Sequence, residues 1–180
     1  MTRPIDVLVQ EHALHRRMLA VLGRIVTQVE RGARFPAGDV ATVLGYLREF
    51  VEASHHAKEA ALLHPLAMSI ADDRFAEAVG RLIADREQTT WMLQSLMLFW
   101  EPGDLLPEER VGFCELARRY SARLLRDMSI EERELYPVAA KLDAAEARDV
   151  LEEFQRIATG RRSRVEWLGV AAGLEERWVD

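Results

Sequence analysis

A single cysteine, Cys114, is all the sulfhydryl chemistry the chain carries. That excludes an internal disulfide and any cysteine-based zinc site, and Cys114 beside Phe113 reads as an inert buried thiol. No run of about 18 apolar residues occurs, so no membrane-spanning helix is expected. Strand signals are scarce, with few β-branched runs and no Asn-Gly or Asp-Gly hairpin turn. Basic charge is in deficit: 24 Lys and Arg stand against 30 Asp and Glu, a net charge of −6. A nucleic-acid binder needs a basic footprint, so that class is excluded. The one basic cluster, Arg161-Arg162-Ser163-Arg164, reads as solvated surface. The N-terminus lacks an apolar stretch, since Met1-Thr2-Arg3-Pro4-Ile5-Asp6 reaches an acid at once; no signal peptide and a cytoplasmic location are expected. What remains is a chain of 180 residues, 49% hydrophobic and 30% charged, long enough to bury one core unaided.

Helical periodicity fills the space that strands leave. The spacing predicts a first helix from Pro4 to Arg31, stopped by Gly32, with an inward stripe Ile5, Leu8, His12, His15, Leu19, Leu22, Val26 and Val29. A second is expected from Pro36 to the Pro65–Met68 region, with Val51, His55, Glu59 and Leu62 in its stripe. A third should start at a cap at Asp72 or Asp73 and end by Trp100, with Arg86 on its inward face. A fourth should run from Pro107 to Lys141, with Leu124, Asp127, Glu131 and Leu135 facing inward. A shorter fifth helix, Ala144 to Thr159, follows Asp143 as its cap. The fold class expected is all-α: an antiparallel up-down four-helix bundle with a short fifth C-terminal helix. Residues 1–159 form the bundle. Residues 160–180 form a tail, a further amphipathic turn or a loose end, with Trp167 and Trp178 suggesting that part of it docks. Trp91, Phe99 and Trp100 read as core or interface.

Each apolar stripe is broken once, at one level. With a rise of about 1.5 Å per residue, His12 and His15 lie roughly 12–17 Å from the start of the first helix, and the breaks in the other helices fall at matching depths. His12, His15, His55, Glu59, Arg86, Asp127 and Glu131 therefore share a layer of the core. His55 and Glu59 are four apart, as are Asp127 and Glu131, so each pair leaves one helix face. The two pairs also echo each other, because His55 and Asp127 each stand ten residues before a proline, Pro65 and Pro137. Three carboxylates in a core are costly unless paired or metal-bound. Imidazoles and carboxylates from facing helices are how bundles build metal sites, and mixed nitrogen and oxygen ligands suit iron, manganese or zinc.

These residues carry a family resemblance. Glu11-His12, His55-His56-Ala57-Lys58-Glu59 before Leu62-Leu63-His64-Pro65, and Met128-Ser129-Ile130-Glu131-Glu132 before Leu135-Tyr136-Pro137 resemble the hemerythrin-like, HHE cation-binding proteins of bacteria. The resemblance covers roughly residues 4 to 155. It implies a four-helix bundle holding a non-haem di-iron centre that binds or senses oxygen or nitric oxide, or takes part in iron handling. It makes His12 and His55 nitrogen ligands and Glu59 and Glu131 bridging carboxylates. Two positions depart from the pattern. Arg86 stands where the family has a helix-three histidine, and Asp127 where a histidine opens the helix-four motif. Arginine stays protonated and offers only donors, so it cannot ligate; aspartate can. His15 is an extra core-facing histidine, read as a satisfied core residue or as a partial replacement for a lost ligand, and His56 reads as a surface residue or one supporting the ligands.

Two classes of function stay open. The first is a metal-binding protein with iron (one or two ions) or another divalent metal at His12, His55, Glu59 and Glu131. Asp127 would be an optional fifth ligand, and O2 or NO the small diatomic ligand. The second is a metal-free bundle in which a buried Arg86–Asp127 ion pair replaces the metal and the chain serves as an interaction module, with exposed Trp167 and Trp178 as candidates for a homodimer or partner surface. An enzyme with peroxidase- or oxidase-like chemistry ranks behind both, since no residue points to a substrate.

Overall fold

The computed structural model describes residues 2–100 and 105–178, the Trp100 side chain excepted. Helix α1 spans Pro4–Glu30. Proline at its first position costs nothing, because that N–H has no partner within a helix. It ends where Gly32 adopts φ 87°, a left-handed conformation that favours glycine. The second long helix is continuous but not uniform: α2 (Ala37–Tyr46) runs into a π-helical segment, Leu47–His55, and then into α3, His56–Ser69. Asp72 caps α4 (Asp73–Leu96), its carboxylate accepting from the N–H groups of Arg74 (3.0 Å) and Phe75 (3.2 Å). The fourth long helix repeats the design of the second, with α5 (Pro107–Ile130), a π segment at Glu131–Leu135, and α6, Tyr136–Ala139. Asp143 caps α7, Ala144–Ala158.

The four long helices close an antiparallel ring. α1 lies against α5, α5 against α4, α4 against α3, and α3 with α2 back against α1. No strand occurs among the described residues, and no helix among them is long and apolar enough to cross a membrane. The core is divided. One apolar cluster, with Leu22, Ile25, Leu44, Tyr46, Phe113 and Tyr120, fills the end where α1 finishes. A second, with Leu8, Leu62, Phe75, Leu135 and Phe154, fills the end where α1 begins. Between them lies the polar layer: Glu11, His12, His15, His55, Lys58, Glu59, Asp127 and Glu131 are all buried. Burying that many ionisable groups between two apolar plugs is unfavourable unless each finds a partner.

The tail corrects one expectation. Ser163 caps a further helix, α8 (Arg164–Arg177), which packs along α1. Trp167 is 2% exposed, its ring edge-on to Tyr46 at 5.1 Å with the Arg162 guanidinium over it at 4.5 Å. It is therefore part of the core and not a partner surface, because the apolar wall of Tyr46 removes it from water. Trp178 is half-buried and donates through Nε1 to Asp39 (2.9 Å). Arg17 clamps Glu175 from α1, which fixes the far end of α8. Trp91 is 71% exposed and Phe99 packs on the first cluster; the side chain of Trp100 lies outside the described residues.

Candidate metal centre

Each hairpin delivers its acidic ligand beside a π segment. His55 closes the first, so His55 and Glu59 share the α-helical turn that follows; Glu131 opens the second. Widened turns of this kind recur at functional sites, because the extra residue re-aims the side chains beyond it. α1 contributes His12 from the facing side. One ligand atom from each of His12, His55, Glu59 and Glu131 falls within 4.8 Å of the others, and all four residues are buried.

The orientation of these groups is informative. His12 donates through Nδ1 to Glu132 Oε1 (2.8 Å), a carboxylate held in turn by Arg16 at 2.9 Å. His55 donates through Nδ1 to Glu11 Oε2 (2.8 Å), and Glu11 also accepts from Lys58. Both rings thus spend the outer nitrogen on a carboxylate and turn the inner one to the centre of the bundle, the arrangement that fixes ligating histidines in metal sites. The inner Nε2 atoms approach to 3.0 Å. His12 Nε2 also lies 3.2 Å from Glu131 Oε2 and 3.9 Å from Glu59 Oε1, while His55 Nε2 lies 3.4 Å from Glu59 Oε2. Lone pairs and formal negative charges converge on one point, which is favourable only where hydrogen-bond donors or positive charge meet them.

A proton answers part of the need in the metal-free chain. Burial disfavours a charged His55, but Glu59 and then Glu11 outweigh it and raise its pKa to about 9. Its Nε2–H then points at His12 Nε2. Glu59 is pushed up by burial but held well below the usual carboxylate range by Arg86 and then His55. Tyr136 completes the surround, donating to Glu59 Oε1 and lying 3.2 Å from His12 Nε2. The donor set suits a first-row divalent cation: two imidazoles and two carboxylates with supported outer atoms.

Arg86 spans the two carboxylates. Its guanidinium donates to Glu59 Oε2 and to Glu131 Oε1 (3.3 Å), bridging the two carboxylates, and to the His56 carbonyl at 3.4 Å. The expected Arg86–Asp127 pair is not formed. Arg86 reaches past that level to the two glutamates, whose combined charge attracts it more than one aspartate does. Asp127, though buried, is not among the converging atoms; it lines a cleft of about 190 Å³ between α4 and α5 with Asp85, Arg126 and Glu134. Burial first, then Glu131 and Asp85, raise its pKa to about 6. With Arg86 present, the two glutamates and one guanidinium leave one formal negative charge. A single divalent ion would turn that into one formal positive charge.

His15 is fully buried, with Nδ1 hydrogen-bonded to the Tyr46 hydroxyl. His56 is half-buried, its ring 6.0 Å from His55, on the wall of an open groove of about 720 Å³ that it shares with Glu52, His64, Arg86 and Trp91. Sequence reasoning did not assign Glu11, Lys58, Glu132 or Tyr136. Signals were present for two of them. Lys58 beside Glu59 falls on the inner face of the second helix, and Tyr136 precedes Pro137 in the repeat.

One family model matches, described as the Hemerythrin HHE cation binding domain, over residues 3–139. No curated protein and no solved structure gives a significant match.

Proposed function

Because the chain belongs to the hemerythrin HHE cation-binding family, we propose that it holds a single non-haem iron ion, with Arg86 standing in for the second. His12 and His55 supply nitrogen, Glu59 and Glu131 supply oxygen, and Glu132 and Glu11 hold the two rings in place. The observation that carries this is the guanidinium seated across both carboxylates that the family uses as bridges. A planar cation with fixed donors satisfies those oxygens in a way that leaves no room for a second ion between them.

An iron ion here would supply redox activity and a coordination position for a small diatomic ligand. The residues around it exclude bulk water, fix both rings and neutralise the layer. Reversible oxygen carriage of the two-iron kind is disfavoured by the same Arg86. Sensing or handling of O2, NO or iron is the role supported, in a cytoplasmic setting consistent with the single free Cys114.

The test is elemental analysis of untagged protein purified without chelators and again after anaerobic iron(II) loading. About one iron per chain is expected. Two irons with oxo-bridged absorption would mean that Arg86 moves aside. None in either preparation would make the layer a self-contained network of Arg86, Glu59, Glu131 and protonated His55.

A further inference from the structure

His15 has the same construction as the two assigned nitrogen ligands. In each of the three rings Nδ1 is tied to a partner on its outer side: Glu132 for His12, Glu11 for His55, Tyr46 for His15. In each, Nε2 has no partner on the outer side, although that of His15 lies outside the four ligand atoms that fall within 4.8 Å of one another. For His12 and His55 that nitrogen meets the converging ligand atoms. For His15 it is buried with no partner among the described residues. The three rings form a compact triangle, with centroids 4.5 Å apart for His15–His55, 4.8 Å for His12–His55 and 5.9 Å for His12–His15.

A merely structural His15 is hard to justify. Its other neighbours are the rings of Tyr46 and Phe50, at 5.7 and 5.9 Å. On such a wall an apolar side chain packs at less cost than an imidazole with one nitrogen orphaned. The orphan is also of the ligating kind. A buried N–H without a partner is rarer than a buried acceptor without one, so the proton belongs on Nδ1, donated to Tyr46, and Nε2 carries the bare lone pair. Arg86 has meanwhile removed the histidine that α4 would otherwise provide, and α1 offers a replacement one turn along from His12.

We propose that His15 is a third nitrogen ligand of the same site, giving a centre of three imidazoles and two carboxylates, with Tyr46 as the residue that aims it. This rests on the single-ion reading above. Tyr46 acts through His15 and is a positioning residue.

The test uses the full chain, labelled with ¹⁵N-histidine and loaded with zinc(II) as a diamagnetic probe, followed by NMR of the ring nitrogens. Three Nε2 resonances should move to metal-bound positions, and the one missing in His15→Gln identifies His15. Competition with a chelator should show iron(II) and zinc(II) binding weakened by at least about tenfold in His15→Gln, and by about tenfold in Tyr46→Phe, which keeps the ring but frees it. The wild-type spectrum needs no variant to fold. Two shifted rings, with His15 unmoved, would overturn the inference and leave the single-ion reading standing. A chain that takes up neither metal would overturn both.

Discussion

Replacing Arg86 with histidine separates a cation substitute from a mere packing residue. Arg86 has a side chain 14% exposed, and it bridges Glu59, fully buried, and Glu131, 3% exposed. Removing one partner of a buried ion pair leaves uncompensated charge and costs about 3–5 kcal/mol. Arg86→His should therefore lose about that much stability in chelator, because a neutral imidazole does not balance the carboxylates. The same substitution restores a ligand. With iron(II) present, the variant should take up two ions per chain where the wild type takes one. An ion at a hundred times its Kd contributes about 2.7 kcal/mol, so a second ion recovers most of the deficit. Denaturant unfolding under anaerobic conditions, with chelator and with iron(II), measures both states; elemental analysis supplies the count. A variant as stable as wild type in chelator would refute the charge argument. A destabilised variant that still binds one ion would refute the claim that Arg86 occupies the place of the second.

Metal affinity should depend on pH through His55. Its pKa in the folded, metal-free chain is about 9, and an ion must displace that proton, so affinity should rise about tenfold per pH unit up to about pH 9 and then level off; chelator competition at three pH values checks this, and a flat profile would refute it. The same group works oppositely on the metal-free fold. Its folded pKa lies above the unfolded value of 6.5, so its stabilisation is complete below pH 6.5 and lost as pH rises through 9. Asp127→Asn should stabilise the chain by about 1–2 kcal/mol at pH 8. A carboxyl raised to about 6 costs nothing below its unfolded pKa and most above its folded one, so the gain should shrink by pH 5, with metal content unchanged. A loss at pH 8 would show that Asp127 binds something. Trp167→Ala should cost about 3–5 kcal/mol in denaturant unfolding, as a large aromatic lost from a core does; a cost near zero would mean that α8 is not docked in solution.

The helices were legible in the sequence because their signals are local. Proline at position 4, Asp72 and Asp143 as caps, and Gly32 as a stop act within one turn, and apolar spacing near 3.6 residues needs no knowledge of neighbours. The level of the polar layer was legible too, since rise per residue converts position into depth in an antiparallel bundle. Even so, the π segments that adjoin His55 and Glu131 have no mark in the residue spacing; only packing against the other helices decides where a helix widens. The tertiary structure alone decided which partner each charge takes. By sequence Arg86 shares a level with Asp127 and with both glutamates, and a long flexible side chain goes where the potential is deepest, a property of the whole layer. The same holds for Trp167, whose burial depends on α8 meeting Tyr46, and for the outer carboxylates Glu11 and Glu132, which become visible only once the rings they hold have been turned inward. Sequence by itself determined the long helices, their depth and the residues of the polar layer; the fold determined the pairing, because electrostatic choice among buried groups is made by all of them at once.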